Sequence, residues 1–579
     1  MHGMASGSLD TITLLRRTRV FGELEDDVLA SVAEHMAPLT LPGGALLYAA
    51  GEPSDALYVL RSGSLGVFRP PRAGGSPHLA GVAGSGETLG TVGLLLDQPS
   101  AVTVRALRDT ELLRLSRASF RALSERYPQA ILGAAQSALH DLLSRGGDEP
   151  RILPRTFAIL PHDASVPVRD MAERLRHALL PFGNCLLIDQ ALGRDHGPAW
   201  FAERESEMRF VLYVDEGRDE RWRDLCRRQA DALLLAVRSD RAPSAWPDRT
   251  ELLRHADLER PRHLLLMHPG SLIEPGRARG WLEAIDGVSQ HHHLRGAADI
   301  ERLARLLARR SLGLVLSGGG ARGFAAIGMV RALREQGYDV DRVGGTSIGA
   351  IVAAGVAMQW DHETMCANYR SAFVDGKPLR DWTLPLMSLS RGERTSRLLQ
   401  RFFGRIDIED LPLPFFCVSS DLTRGMATVH HGGKLWRWLR ASSAVPGLLP
   451  PLLHDGHVYV DGAVINNLPT DVMYDRGMAT IVACDIRADD VLTSAVDRDW
   501  QPGIWRQWMQ RDLYPCMGSI LLRSGMVNAE TMANQRRELA TRVIAPHLES
   551  IGLLDFKSFD RAVEAGYRAT LQALSEPIG

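Results

Sequence analysis

The chain has 579 residues, and a chain of this length is expected to form several domains rather than one large core. Hydrophobic residues make up 45% and charged residues 23%, proportions of a globular protein that exclude wholesale disorder and a fibrous fold. Lys plus Arg (67) and Asp plus Glu (69) nearly cancel, and the resulting formal charge of -2 argues against a nucleic-acid-binding protein.

Export and membrane signals are not recognisable in the sequence. Residues 1–10 lack the basic and apolar regions of a signal peptide, and no run reaches the about 18 apolar residues that a membrane-spanning helix needs. The six cysteines lie far apart without a CxxC pair, which predicts reduced thiols rather than disulfides or a zinc site. We expect a cytoplasmic protein without a cofactor or metal, whose contact with the inner membrane is at most peripheral. We assign His291–His293 to a solvated linker.

The first part of the chain, residues 13–143, shows the pattern of an all-β domain. Four short alternating segments are separated by turn residues: Ala45–Tyr48, Ala56–Leu60, Ser64–Phe68 and Ala101–Val104. This spacing is typical of an antiparallel barrel or sandwich. Apolar residues at helical period before and after the strands predict flanking helices. We predict an N-terminal β-barrel with flanking helices.

Two runs in this part, Gly51–Ser64 and Gly86–Leu95, resemble the cyclic-nucleotide-binding domain family. The resemblance places Thr91 where the family has a glutamate for the ribose hydroxyl, and Ser100 where it has an arginine for the cyclic phosphate. Without the arginine the strongest charge-assisted contact is lost. We therefore expect cyclic AMP or GMP binding to be absent or weak, and the domain to be a scaffold, a dimer contact or a reader of another ligand.

The middle part, residues 155–300, alternates apolar strands with helical stretches, which predicts a parallel α/β domain. The predicted strands are Phe157–Leu160, Cys185–Ile188, Phe210–Val214, Ala232–Val237 and His263–Met267. The turn Pro161–Pro167 has no glycine and no Lys-Ser/Thr pair, so it does not predict a nucleotide site of the P-loop kind. We interpret this Rossmann-like domain as a structural spacer.

A glycine-rich turn opens the third part, residues 312–475. The strand from Leu312 runs into three glycines, Arg322 and a further glycine before a helical pattern. Open backbone N–H groups at the start of a helix suit an anion, either a phosphate or a developing oxyanion. A structural tight turn is the alternative.

A G-x-S-x-G motif centred on Ser347 follows about 25 residues later. It lies between the short apolar segment at Val343 and a helix predicted from Ala350 to Met358, which is the strand–turn–helix context of a nucleophile elbow. Downstream, a strand from Val458 runs directly into Asp461, so its carboxylate can point into a site. A plain turn is the alternative there. No downstream histidine stands out as a third member of a triad.

In this order the three elements resemble the patatin-like phospholipase family, whose signatures are G-G-G-x-R/K-G, G-x-S-x-G and D-G-G/A. The stretch Arg440–Pro451 matches a further family block. The order of the domains is similar to that of bacterial relatives of neuropathy target esterase. The resemblance implies an α/β/α catalytic domain with a Ser–Asp dyad and no histidine. The residues it assigns are Ser347 and Asp461 as catalytic; Gly318, Gly319, Gly320 and Arg322 as oxyanion hole; and Gly345, Gly349, Gly323 and Gly462 as motif support.

The activity implied by the resemblance is hydrolysis of acyl esters of phospholipids or lysophospholipids by a serine esterase. The alternatives are a catalytically weak patatin-fold sensor or interaction protein, and a lipid transacylase. Residues 476–579 are expected to pack on the catalytic domain. Asn466 and Asn467 orient the dyad loop or cap a turn; Val445–Leu453 lines an acyl channel or belongs to the core; and Trp382–Met387 touches a lipid surface or belongs to the core.

Overall fold

The structure is a computed structural model that describes residues 11–69, 78–129, 132–136, 154–247, 260–384, 386–486, 532–548 and 550–575. The chain divides into two compact units, residues 1–267 with 284–291 and residues 268–283 with 292–579. The predicted end of the first domain at residue 143, Cys516 and residues 487–531 of the predicted extension lie outside the described residues.

Eight antiparallel strands of the first unit form two four-stranded sheets, in the orders β1-β8-β3-β6 and β2-β7-β4-β5. The strands are β1 Met36–Leu41, β2 Leu46–Tyr48, β3 Ala56–Ser62, β4 Leu65–Arg69, β5 His78–Ala83, β6 Thr88–Leu89, β7 Thr103–Ala106 and β8 Thr110–Ser116. The helices Asp26–Glu34, Thr91–Leu96 and Arg117–Arg126 accompany them. Neither sheet closes into a barrel among the described residues.

The side chains of β3 alternate between two separate cores, which explains why a sandwich forms instead of the predicted barrel. Tyr58 and Leu60 point to one face, where they share a core with Leu65 of β4 and Val104 of β7. Leu57 and Val59 belong to a second core, which contains helix residues. With a two-residue β6 and a three-residue β2 as short edge strands, the sheets pack face to face without hydrogen bonds closing them.

A six-stranded sheet in the order β10-β11-β9-β12-β13-β14 forms the middle part. The strands are β9 Thr156–Pro161, β10 Cys185–Ile188, β11 Phe210–Val214, β12 Ala232–Arg238, β13 Arg262–Met267 and β14 Gln290–Leu294. The helices are Val168–Leu179, Gln190–Gly193, Pro198–Glu207, Glu220–Gln229 and Arg277–Ala284. All neighbours from β10 to β13 run parallel. Every residue of β9 and β11 is buried, as expected of a sheet covered on both faces.

The assignment of His291–His293 to a solvated linker is wrong, because these residues lie in β14. His292 and His293 are 3% and 2% exposed. A buried imidazole is tolerated when its nitrogens have partners. His293 meets this condition, since its Nδ1 lies 2.8 Å from His268 Nε2 and its Nε2 lies 2.9 Å from the Glu409 carbonyl oxygen.

A buried arginine joins the two-sheet part of the first unit to the middle sheet. Arg108, in the turn between β7 and β8, is 8% exposed. Its Nη1 lies 2.6 Å from Glu205 Oε2 and its Nε lies 3.0 Å from Asp231 Oδ1. Nη1 also donates to the Gln229 carbonyl at 3.1 Å. Three partners from the middle part of the chain therefore converge on one guanidinium.

The second unit contains an eight-stranded sheet in the order β19-β20-β17-β16-β15-β21-β22, with β18 paired to β17. The strands are β15 Leu312–Leu316, β16 Arg342–Thr346, β17 Phe415–Asp421, β18 Met426–His430, β19 Leu452–His454, β20 His457–Asp461, β21 Thr480–Cys484 and β22 Arg542–Ile544. Strands β17, β16, β15, β21 and β22 run parallel. The loops after β15 and β16 therefore lie at the same edge of the sheet, where α/β proteins place their sites.

Helices cover this sheet, and one from the end of the described chain packs against the helix that follows the glycine-rich turn. The helices are Ala297–Leu307, Ala325–Glu335, Ile348–Ala357, His362–Tyr369, Glu393–Phe403, Leu435–Ser442, Thr470–Asp475, Ala533–Glu538 and Phe559–Ala573. A Cβ on Gly328 would clash with the Val563 carbonyl, and one on Gly566 with the Ala325 carbonyl. The two helices therefore approach closely through glycines.

The five cysteines within the described residues are free thiols. In the same part of the chain, no helix combines the length and apolar character that crossing a membrane requires.

Candidate active site

Ser347 occupies the turn between β16 and the helix Ile348–Ala357. Its φ of 56° and ψ of -128° are uncommon for a residue with a side chain. Such strain is typical of functional sites, and a serine on a strand-to-helix turn is the geometry of a nucleophile elbow. The partial positive charge of the helix N-terminus lies beside the hydroxyl and favours negative charge there.

The four glycines predicted to support the motifs all lie where a side chain would collide with a neighbour. A Cβ on Gly345 or on Gly349 would clash with the Leu316 carbonyl at the end of β15. The two other clashes are of Gly323 with the Ile348 side chain and of Gly462 with the Val418 carbonyl. These glycines thus allow the loops after β15, β16 and β20 to come together.

Strand register brings Ser347 and Asp461 side by side. Thr346 at the end of β16 is paired with Val418 of β17, and Asp461 at the end of β20 is paired with Ser419, the next residue of β17. The Ser347 hydroxyl donates to Asp461 Oδ2 at 2.6 Å. Residues 114 positions apart therefore lie within the hydrogen-bond reach that a nucleophile and its base require.

The environment of Asp461 tunes its proton affinity. The side chain is 2% exposed, and burial raises its pKa to about 7 although hydrogen bonds from Ser347 and Ala463 oppose the shift. The Ala463 N–H donates to Oδ1 at 2.9 Å. A carboxylate whose pKa lies near neutrality is matched to a general base.

The nearby histidine is held away from this pair. His430 Nε2 lies 2.7 Å from the Ser419 hydroxyl, and its ring stacks on Trp438 with the centroids 3.9 Å apart. Burial lowers the pKa of His430 to about 3, so its ring is neutral. The described hydrogen bonds of Ser347 and Asp461 thus form a pair without an imidazole.

The glycine-rich loop lies against Ser347, and its N–H groups differ in whether they already have an acceptor. A Cβ on Gly318 would lie 2.9 Å from Ser347 Cβ. The Gly318 N–H, however, donates to Asn467 Oδ1 at 3.0 Å, so it is already occupied. Among the described residues, the N–H groups of Gly319 and Gly320 have no acceptor, and both residues are partly exposed. Of the three predicted glycine donors, these two N–H groups are thus without an acceptor among the described residues.

Arg322, which was predicted to belong to the oxyanion hole, is buried and bonded to a distant segment of the chain. It is 3% exposed, and its Nε donates to the Ile551 carbonyl at 2.5 Å. The neighbouring Ala321 N–H donates to the Leu553 carbonyl at 2.8 Å. A segment some 230 residues further along the chain therefore supports the glycine-rich loop.

Two polar side chains connect the loops of the site. The Ser442 hydroxyl accepts the Ser347 N–H at 2.9 Å and donates to the Val418 carbonyl at 2.7 Å. Asn467 accepts from the Gly318 N–H and donates through Nδ2 to the Gly318 carbonyl at 3.3 Å. Ser442 was not singled out from the sequence, and its only signal was its place in the family block Arg440–Pro451. Asn466 is bound to Asp471 through Nδ2.

The sequence left two apolar runs with two interpretations each, a contact with lipid or a place in the core, and the runs differ in exposure. In the run Val445–Leu453, Leu449 is buried, at 5% exposed, whereas Leu453 is 63% exposed. In the run Trp382–Met387, the core alternative is wrong, because Trp382 and Leu386 are 63% and 93% exposed.

In the N-terminal domain, Thr91 is 1% exposed. The Ser100 hydroxyl donates to the Val102 carbonyl at 2.8 Å, so it is engaged locally.

Three family models match consecutive parts of the chain. Residues 38–127 match the cyclic nucleotide-binding domain, residues 154–311 the neuropathy target esterase family P-loop like domain, and residues 314–474 the patatin-like phospholipase. The fold and the site thus define a protein with a patatin-like phospholipase domain.

Curated relatives extend the likeness over most of the chain. An uncharacterized NTE family protein of Mycobacterium bovis is 31% identical over 587 residues, covering 98% of this chain and 96% of the relative. The chain belongs to the NTE (neuropathy target esterase) family.

Patatin-like phospholipase domain-containing protein 6 of Homo sapiens is 31% identical over 599 residues, covering 91% of this chain and 43% of the human protein. The chain therefore spans less than half the length of that relative. Among solved structures, the N-terminal domain of a transcriptional regulator from Streptomyces coelicolor A3(2) is 27% identical with a TM-score of 0.21, covering 23% of this chain and 93% of that chain.

Proposed function

We propose that this chain is a serine esterase that hydrolyses acyl esters of phospholipids and lysophospholipids through Ser347 and Asp461. The observation that carries the proposal is the 2.6 Å hydrogen bond from a strained serine to a buried carboxylate whose pKa is raised to about 7. Its place in a patatin-like phospholipase domain supports a lipid ester as the substrate.

The chemistry proceeds in two halves. Asp461 takes the proton from Ser347 Oγ as that oxygen attacks the ester carbonyl, and the N–H groups of Gly319 and Gly320 hold the oxyanion. Asp461 then returns the proton to the leaving alcohol. In the second half, Asp461 takes a proton from water as the water oxygen attacks the acyl-serine carbonyl. The bond from that carbonyl carbon to Ser347 Oγ then breaks, the fatty acid leaves, and Asp461 gives the proton to Oγ.

The test is fatty-acid release from lysophosphatidylcholine by the purified chain, beside Ser347→Ala and Asp461→Asn. We expect both variants to lose activity by roughly three orders of magnitude or more. Ser396→Ala is the matched control, because its hydroxyl only donates to the Gly392 carbonyl at 2.9 Å. Equal release by all four proteins would contradict the proposal and favour the sensor or interaction protein.

Added alcohols distinguish hydrolysis from acyl transfer in the same assay. Hydrolysis predicts free fatty acid as the main product, whereas a transacylase would form a new ester with the alcohol at the expense of fatty acid. Cyclic AMP is expected to leave the rate unchanged, since Thr91 and Ser100 replace the residues that recognise the ribose and the cyclic phosphate.

A further inference from the structure

Four large apolar side chains are exposed together in residues 381–391, which we call the apolar hairpin. Trp382 is 63%, Leu384 80%, Leu386 93% and Met387 62% exposed. Single exposed apolar residues are common on protein surfaces, but a contiguous group marks a site of interaction.

The hairpin is held in a defined conformation by its own hydrogen bonds. The Thr383 N–H donates to the Leu389 carbonyl at 3.0 Å, and the Arg391 N–H donates to the Asp381 carbonyl at 2.8 Å. The Asp381 carboxylate accepts from the Ser390 hydroxyl and, at 2.9 Å, from the Arg394 N–H. The apolar side chains are therefore presented outward from a fixed base.

Exposed cations flank this base. Lys377 and Arg380 precede the hairpin and Arg391 ends it, and all three are exposed without an ion pair among the described residues. Within residues 375–397 the acidic residues are the exposed Asp375 and Glu393 and the half-buried Asp381. The same stretch has two further exposed cations, Arg394 and Arg397, of which Arg397 is paired with Glu393. The apolar tip is thus bordered by an excess of positive charge.

The hairpin is also connected to the candidate active site. Its Leu389 N–H donates to the Gly447 carbonyl at 2.8 Å, and the Ser390 N–H donates to the Leu448 carbonyl at 3.0 Å. Three residues before Gly447, the Ala444 carbonyl accepts the Asp461 N–H at 2.9 Å. Because three residues span at most about 11 Å, the hairpin is attached close to the Ser347–Asp461 pair.

We propose that the apolar hairpin inserts into an anionic lipid bilayer and docks the active site on the surface that supplies its substrate. Leucine and methionine enter the acyl region, the tryptophan ring lies at the interface, and the flanking cations meet lipid phosphates. The docking role rests on the proposed function, since it assigns a lipid source to that same site.

Binding is tested in the Ser347→Ala background, so that no substrate is consumed. Flotation measures the partition of the protein onto vesicles of phosphatidylcholine with and without phosphatidylglycerol. We expect binding to the anionic vesicles, and a loss of about tenfold or more in the Leu384→Ser/Leu386→Ser variant. Leu272→Ser is the matched control, because Leu272 is an equally exposed leucine outside the hairpin, at 85%.

A second variant tests the charges without touching the apolar tip. The double variant Arg380→Gln/Arg391→Gln is expected to reduce binding to anionic vesicles. Its binding to vesicles of pure phosphatidylcholine, which is weaker, is expected to stay unchanged. Absence of vesicle binding, or equal binding by the hairpin and control variants at unchanged melting temperature, would overturn the proposal and point to a protein partner for this surface.

Activity separates this proposal from the proposed function. In the chain with Ser347 intact, the ratio of the rate on vesicle-embedded ester to the rate on monomeric lysophospholipid is expected to fall at least fivefold in the leucine double variant. An equal loss on both substrates would contradict the docking role. A chain that binds vesicles through the hairpin but hydrolyses neither substrate would contradict the esterase proposal while supporting the surface.

Discussion

The carboxyl group of Asp461 sets how the candidate site responds to pH, because it is buried and its pKa is raised to about 7. A general base must be ionised to accept the serine proton. We predict that kcat/KM rises about tenfold per pH unit below pH 7 and levels off above it. Initial rates on a soluble ester between pH 5 and 9 measure this. A profile that is flat from pH 5 to 8 would contradict the assignment of Asp461 as the base.

The same carboxyl group lowers the free energy of unfolding as the pH rises, whereas it raises the predicted activity. Its folded-state pKa lies above its unfolded value of 3.8, so the native chain binds more protons between about pH 4 and 7. This contribution to stability is present below pH 4 and is lost as the pH rises through 7. We predict that Asp461→Asn stabilises the protein above pH 7, by on the order of 2 to 4 kcal/mol.

Melting temperatures of the native chain and Asp461→Asn, compared at pH 5 and pH 8, measure the effect. The difference is expected to be larger at pH 8, where the native chain carries the buried charge. Ser396→Ala serves as the control, because the Ser396 hydroxyl donates to the Gly392 carbonyl and the titrating carboxyl keeps its hydrogen bond from Ser347. An Asp461→Asn variant that is less stable than the native chain at both pH values would show that burying the ionised carboxyl does not destabilise the fold.

At the scale of elements, Asn467 links the loop after β20 to the glycine-rich loop after β15 through two hydrogen bonds to Gly318. Asn467→Leu removes both bonds and frees the loop that carries the proposed oxyanion donors. We predict a loss in kcat of about 10- to 100-fold, because loss of a preorganised donor is costly in the transition state.

The conservative variant Asn467→Asp keeps an acceptor for the Gly318 N–H but cannot donate to its carbonyl. Its rate should lie between those of the native chain and Asn467→Leu, with KM changed far less than kcat. Steady-state kinetics on lysophosphatidylcholine give both constants. Equal kcat for all three proteins would mean that this link does not position the loop.

Strand and helix patterns could be predicted from the sequence because they depend on local periodicity. Strand β10 and strand β11 have the predicted bounds, and the turn at Ser347 lies between the predicted strand and helix. The closure of the N-terminal strands could not be predicted, since local alternation is the same in a sandwich and a barrel. Strand β14 could not be predicted because four of its five residues, Gln290 and three histidines, are polar.

The site was predictable where a motif marks it and not where distant segments meet. Gly318 follows a sequence motif, yet its N–H is occupied by Asn467, 149 residues away. The supports from Ile551 and Leu553 come from carbonyl groups, which any residue type provides. Such contacts do not depend on the residue type, so they cannot be predicted from the sequence and are found only in the three-dimensional structure.

At the scale of the molecule, Arg108 joins two parts of the first unit through Glu205 and Asp231. Arg108→Met leaves both carboxylates without their guanidinium in a buried place. Breaking a buried ion pair leaves an unpaired charge in the protein interior. We therefore predict that the free energy of unfolding falls by about 3 to 5 kcal/mol. Urea unfolding followed by circular dichroism measures it.

Adding Glu205→Gln to Arg108→Met removes one of the stranded charges and is expected to recover part of the lost stability. The exposed pair of Arg174 and Asp170 supplies the control, since Arg174→Met removes a surface contact that is expected to contribute less than about 1 kcal/mol. An unfolding midpoint that is equal in Arg108→Met and Arg174→Met would show that the buried network does not join the two parts.

The support that Ile551 and Leu553 give to the glycine-rich loop has a consequence for the order of synthesis. A ribosome makes the chain from the N-terminus, so Ser347 and Asp461 are both present well before residue 551 exists. During that interval the glycine-rich loop lacks two of its hydrogen bonds. The nascent chain therefore carries its nucleophile before the site around it can be completed, which delays the proposed attack on lipids until translation has passed residue 553.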